Sequence, residues 1–246
     1  MTAINAYARG RLGLIVSDTA GYDRQGVIGG FMSKVVANPR LRMAVALRGP
    51  LAALPTFASN LDFRCASFDE VTGEVGARVV EETYDAGMMH WGSLFDTEVQ
   101  IVVVGWSERE QRCRALVMSS IEDGGRAAFT WWEQPVLIGP MPGLADLAAA
   151  GVLAADGGFD DRDPARALVK VAKVQRLCRL PTRGIDGEAY TVGGELIVTE
   201  VGPDGVRQTI AHHWQDRIGE LINPRSDVQQ LSREQLRRQR QMARTC

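Results

Sequence analysis

The order of elements in this chain predicts an α+β fold: strands, a pair of helices, strands, a second pair of helices, then strands. Three observations carry that expectation. Short apolar runs bounded by turn residues open the chain, long stretches with apolar residues at helical spacing interrupt them, and a glycine-punctuated hairpin pattern follows near residue 200. The order fits two sheets packed face to face with helices outside, a four-layer αββα sandwich, although other α+β arrangements share it. At 246 residues, with 45% apolar and 24% charged residues, the chain is long enough for one compact core.

Residues 3–9 and 12–18 each favour strand, and Gly10-Arg11 between them suits a tight hairpin turn. Tyr22-Asp-Arg-Gln-Gly26 is a further turn leading into Val27–Phe31. Arg42–Leu47 is a short apolar run between polar residues, the pattern of a buried strand, and Gly49-Pro50 stops it. Helical spacing then covers Leu51–Phe63 and Phe68 to about Ala86, as antiparallel neighbours joined around Cys65. In the second stretch Val71, Val75, Val79 and Val80 form one apolar stripe opposite the acids. Strand character returns at Glu98–Trp106 and Arg114–Ser119, and again around Ala127–Trp132 and Val136–Gly139. Helices are expected near Leu144–Leu153 and Ala165–Leu180. After the Gly193-Gly194 turn, Leu196–Val201, Pro-Asp-Gly and Val206–Ile210 read as a hairpin.

The formal net charge of −2 and pI near 6.0 give no global attraction to nucleic acid or anionic membrane. No apolar run approaches the length of a membrane span, and no signal-peptide pattern opens the chain, so a cytoplasmic protein is expected. Cys65, Cys113, Cys178 and Cys246 are scattered without a CxxC pair and read as reduced thiols. A metal site would have to join His90, His212 or His213 to distant carboxylates such as Glu81, Glu82 or Asp85. Adjacent histidines on a strand point to opposite faces, so no metal and no cofactor is expected. Residues 1–214 read as one domain. Residues 215–246 read as a helical basic tail, with six arginines against two acids after Pro224, either solvated or docking an acidic partner.

Three positions near the start carry the chemistry: Thr2, then Asp18 sixteen residues on, then Lys34 thirty-two residues on. The chain has only three lysines, Lys34, Lys170 and Lys173, so in this chain's own composition a lysine at any preset position is a roughly one-per-cent event, well below the ordinary frequency of lysine. The spacing resembles that of the proteasome β-subunit type of N-terminal nucleophile (Ntn) hydrolase, including the bacterial proteasome-like protease, over about residues 2–212. The resemblance implies the αββα sandwich, an N-terminal threonine exposed by removal of Met1, a peptide or protein substrate, and assembly as a homo-oligomer. Threonine is small enough for methionine aminopeptidase to expose it. In the implied set Thr2 is the nucleophile and its α-amine the base. Lys34 keeps that amine neutral, Asp18 holds Lys34, and the Gly49 backbone N–H meets the oxyanion.

Some positions depart from the family pattern. Where active members have Gly-Ser-Gly, this chain reads Gly139-Pro140-Met141, and where they have Asp-x-x-Ser-Gly it reads Ala189-Tyr-Thr-Val-Gly193. Ala20 stands where an arginine is usual, and Thr191, Asp186 or Glu188 are the available polar substitutes. These departures support an alternative expectation: a non-catalytic Ntn-fold building block of an oligomeric or phage-derived assembly, with Asp18 and Lys34 as a buried ion pair.

Overall fold

The computed structural model describes residues 3–23, 25–91, 98–181 and 188–224. It opens with β1 (Ile4–Arg9) and β2 (Leu12–Asp18), which turn at Gly10-Arg11 as the pattern predicts. β3 (Ala20–Tyr22) and β4 (Ile28–Phe31) form a small hairpin of their own. β5 (Val35–Asn38) and β6 (Met43–Arg48) follow. A 3₁₀ turn at Leu51–Ala53 precedes α1 (Leu54–Arg64), α2 (Phe68–Val71) and α3 (Glu74–Trp91). Then come β7 (Gln100–Ser107), β8 (Arg112–Ser119), β9 (Trp132–Glu133), β10 (Val136–Gly139), α4 (Leu144–Ala149) and α5 (Pro164–Leu177). The short pair β11 (Leu180–Pro181) and β12 (Glu188–Ala189) leads to β13 (Glu195–Gly202) and β14 (Gly205–His213).

Two five-stranded sheets result, ordered β10-β1-β2-β13-β14 and β5-β6-β7-β8-β9, with every pairing antiparallel. Strand side chains alternate between faces, so each strand feeds two cores. Ile4, Ala6 and Ile15 of the first sheet share one buried cluster with Ala44, Val102 and Val117 of the second. On the other face of the second sheet, Met43, Val45 and Val103 pack with Phe57, Leu61 and Phe68 of α1 and α2. On the other face of the first sheet, Leu14 and Val16 pack with Leu168 and Ala172 of α5. Strands covered on both faces need apolar residues at every position, which is why β6 and β7 read as continuous runs.

The helix pair α1/α3 is antiparallel, joined by an Asn60 Nδ2 to Thr83 Oγ1 hydrogen bond of 2.9 Å and by the Arg64–Glu82 ion pair. The single helix expected from Phe68 to Ala86 is instead broken at Thr72-Gly73. Val71 and Val75 therefore do not share one face: Val71, Val79 and Val80 are buried, while Val75 is 46% exposed. The strand expected at Ala127–Trp132 shrinks to Trp132–Glu133, because Phe129 takes φ +55°, outside the extended range, and turns its ring onto Tyr84. The helix expected to reach Leu153 ends at Ala149, ahead of Gly151 at φ +63°. α5 starts at Pro164, capped by the Asp163 side chain accepting from Arg166 N, and ends at Leu177, short of the expected Leu180.

Past β14 the chain folds back on the body. Leu221 bridges Val27, and Ile222 is buried with Ala20 and Ile28. Residues 225–246, which include the Arg-rich tail and Cys246, lie outside the described residues, as do Met1, Thr2 and Asp186. Cys65, Cys113 and Cys178 are free thiols. Among the described residues no helix is long and apolar enough to cross a membrane, and no group of three or more His, Cys, Asp or Glu could hold a metal ion.

Candidate active site

Asp18 ends β2, on the side of that strand that carries Leu14 and Val16 toward α5, and it is fully buried. Lys34 reaches it from the residue before β5 and is 1% exposed. Its Nζ lies 2.8 Å from Oδ1 and 2.9 Å from Oδ2 of Asp18. Among the described residues, three backbone N–H groups also donate to the carboxylate: Ala3 to Oδ1 at 3.3 Å, and Ala20 at 3.3 Å and Gly193 at 3.2 Å to Oδ2. These donors stand in for the water that the buried carboxylate has lost. Burial pushes the Lys34 ammonium below its ordinary pKa, and the Asp18 charge opposes that fall. The Tyr22 phenol, on β3, is pushed above its ordinary value first by burial and then by the Asp18 charge, while its contact with Thr191 opposes the shift.

The sequence-predicted Asp18 and Lys34 are thus brought into direct contact, and the Ala3 amide, which joins Ala3 to Thr2, points at Asp18. Thr2 itself lies outside the described residues. Gly49 follows β6 at φ +130°, a backbone conformation that glycine adopts freely and other residues rarely do. A Cβ at Gly49 would stand 3.0 Å from the Glu98 carbonyl oxygen. Beside it, Arg48 sends its guanidinium to the Ile4 carbonyl at 3.0 Å and to Gln100 Oε1 at 2.6 Å. Burial pulls the Arg48 pKa down to about 10, with Glu98 opposing. A Cβ at Gly139 would fall 1.4 Å from Arg48 Nη2, so any side chain there would displace that guanidinium.

The two departing stretches can now be located. Gly139 donates its N–H to Asn5 Oδ1, and the Pro140 carbonyl accepts from Gln175. Of the suggested polar substitutes, Thr191 is buried near the Tyr22 hydroxyl and Glu188 is exposed. Sequence reasoning missed Asp216 and Arg176. Asp216 Oδ2 accepts from Gly194 N at 2.7 Å, and both Asp216 oxygens bind the buried Arg176 guanidinium, at 2.9 and 3.0 Å. No local motif marks either residue, because they meet only through the tertiary fold.

No family model and no curated protein matches the sequence. Among solved structures the chain is similar to a Gly-1 mutant of Anbu from Hyphomicrobium sp. strain MC1, at 15% identity and TM-score 0.59, over 96% of this chain and 100% of that one. It is also similar to Anbu from Yersinia bercovieri, described as an ancestral beta-subunit, at 13% identity and TM-score 0.58, over 86% of this chain and 88% of that one. The likeness supports a proteasome-like fold of mixed α and β structure with antiparallel sheets. At these identities it speaks to the fold alone.

Proposed function

We propose that this chain is an Ntn-type amide hydrolase, a peptide bond being the simplest substrate, with Thr2 freed by removal of Met1 as its nucleophile. The buried Asp18–Lys34 pair, set against the Ala3 amide, is the observation that supports this reading most directly. A free α-amine has an ordinary pKa of about 7.7–8.0, and a neighbouring ammonium makes a second positive charge costly, so the amine stays neutral and acts as base. The amine takes the hydroxyl proton as the Thr2 oxygen attacks the carbonyl carbon. The Gly49 N–H meets the oxyanion, the substrate amine leaves with the proton, and water then cleaves the acyl ester. The same reading takes α1–α3, the two sheets and α5 as the αββα sandwich, and the protein as a cytoplasmic homo-oligomer.

The test is an intact-mass measurement of the purified protein before and after treatment with a peptide β-lactone, whose ring opens to acylate a nucleophilic hydroxyl. Loss of one methionine and a single adduct that Thr2→Ala abolishes are expected. Retained Met1, or an adduct that persists in Thr2→Ala, rules the mechanism out.

One observation favours a second reading, the non-catalytic building block. The Gly139-Pro140-Met141 and Ala189–Gly193 stretches lack the hydroxyls and the carboxylate that the family resemblance expects there.

A further inference from the structure

We infer that Gln175 and Arg176, adjacent on the last turn of α5, are positioning residues that fasten the Gly139-Pro140 turn at the end of β10 and the Gly193-Gly194 turn beside the Asp18–Lys34 pair, and that the Arg176–Asp216 ion pair holds the Gly193 N–H on Asp18. The inference rests on the proposed role of Asp18 and Lys34 as the tuning centre. The contacts that carry it do not depend on whether Thr2 reacts.

Consecutive helix residues point about 100° apart, so neighbours can serve different loops. Gln175 is fully buried and pairs amide to amide with Asn5, its Oε1 accepting at 2.8 Å and its Nε2 donating at 2.9 Å. The same Nε2 donates to the Pro140 carbonyl at 2.7 Å. Asn5 Oδ1 also accepts from Gly139 N at 3.1 Å, which ties the Gly139-Pro140 turn to β1 and α5 together.

Arg176, 2% exposed, binds Asp216 with both terminal nitrogens, donates to the Val192 carbonyl at 2.8 Å, and lies over the Trp214 ring at 4.7 Å. Asp216 Oδ2 accepts the Gly194 N–H, while the Gly193 N–H turns the other way to Asp18 Oδ2. The Gly193 carbonyl accepts from Thr19 and Ala20, the two residues that follow Asp18. The turn is therefore gripped on both sides, and a Cβ at Gly193 would stand only 2.5 Å from Asp216 Oδ2. A continuous path runs from Arg176 through Asp216 and Gly194-Gly193 to Asp18 and Lys34. A buried pair adds little net stability over apolar residues of the same volume. Here the capacity left after pairing goes to the backbone of this turn, at the place where the chain lacks the polar side chains the family pattern would supply.

The three lysines make the test direct. Protein labelled with [13Cε]lysine gives one signal each for Lys34, Lys170 and Lys173, and the last two serve as internal controls on α5. The groups expected to shape the Lys34 titration are Asp18 on β2 and, through Asp18, the Tyr22 phenol on β3. In the Thr2→Ala background, Asp216→Asn is expected to speed hydrogen exchange at the Gly193 amide. It should also move the Lys34 midpoint up toward the ordinary lysine value, because loosening the turn admits water to a buried ammonium. Trp214→Leu, which removes the ring over Arg176, should move both readouts the same way by less, and it decides the matter if Asp216→Asn does not fold. A folded variant in which the Gly193 exchange and the Lys34 midpoint are unchanged overturns the inference. Because no readout uses Thr2, a missing lactone adduct sinks the hydrolase reading without touching this one.

Discussion

Replacing Asp18 by Asn tests the centre of the molecule with almost no change of shape. In the native protein Oδ1 faces Lys34 Nζ and the Ala3 N–H, and Oδ2 faces Lys34 Nζ and the N–H groups of Ala20 and Gly193. Each of these neighbours is a donor, so whichever oxygen becomes an NH2 group sets donor against donor. The ammonium of Lys34, 1% exposed, loses its counter-charge at the same time. Removing one partner of a buried pair costs about 3–5 kcal/mol, and at about 2–4 °C per kcal/mol for a chain of this size the melting temperature should fall by about 6–20 °C. Urea unfolding with a constant m-value is the assay. Asp18→Asn/Lys34→Met should recover the share of the loss that comes from the unpaired ammonium, leaving only the conflict between the new amide NH2 and the backbone N–H groups, while any hydrolase activity stays absent. A single variant that costs less than about 1 kcal/mol, or a double variant no more stable than the single, refutes the account of a desolvated, mutually dependent pair.

Two further predictions follow from neighbouring groups. Gly139→Ala should destabilise by about 1–3 kcal/mol, because the new methyl displaces the Arg48 guanidinium from the Ile4 carbonyl. Arg48→Ala in the same chain should relieve the clash, and thermal unfolding of Gly139→Ala, Arg48→Ala and the double variant checks both statements. The second concerns alkaline pH. The folded-state pKa of Lys34 is lowered, so between that value and the ordinary one the unfolded chain holds the proton that the folded chain has released, and the Lys34 contribution to stability rises with pH. Tyr22 acts in the opposite sense. Its folded-state pKa is raised, so above about pH 10 the unfolded chain ionises first and stability falls. Urea midpoints taken at rising alkaline pH should lose the upward component in Lys34→Met and the downward component in Tyr22→Phe.

Much of the scaffold was legible because its signals are local. The β1/β2 turn at Gly10-Arg11 and the continuous apolar runs of β6 and β7 need only near neighbours in sequence. The Asp18–Lys34 contact was legible for another reason: a lysine at one spacing in a lysine-poor chain stands out even though nothing around it looks unusual. Asn5 was not. Strand alternation places it opposite Ile4 and Ala6, a position that reads as solvent-facing until α5 covers that face and Gln175 pairs with it. Gln175 and Arg176 sit near the C-terminal end of an amphipathic helix, where polar residues usually meet water, and their partners lie as far away as Asn5 and Asp216. Val75 and Phe129 misled for the converse reason, since one broken helix and one left-handed residue re-phase a pattern that is regular in the sequence.

The two buried ion pairs bear on the choice between hydrolase and building block. Asp18–Lys34 and Arg176–Asp216 meet at one glycine turn, each desolvated and each satisfied by backbone N–H groups of its neighbourhood. Packing alone does not call for them, because apolar residues of equal volume are about as stable in such places. What charges supply there is a fixed field and a fixed geometry. A hydrolase uses both at the Thr2 amine. A building block has use only for the geometry, which would hold the turn for a neighbouring copy. The Asp18→Asn/Lys34→Met variant separates these uses, because it removes the field at little cost to the packing. If it folds and keeps the oligomeric state of the wild-type chain in sedimentation but no longer takes a lactone adduct, the field was serving chemistry at Thr2. If it folds and sediments as a smaller species, in a protein whose wild-type form takes no adduct, the pair was serving assembly.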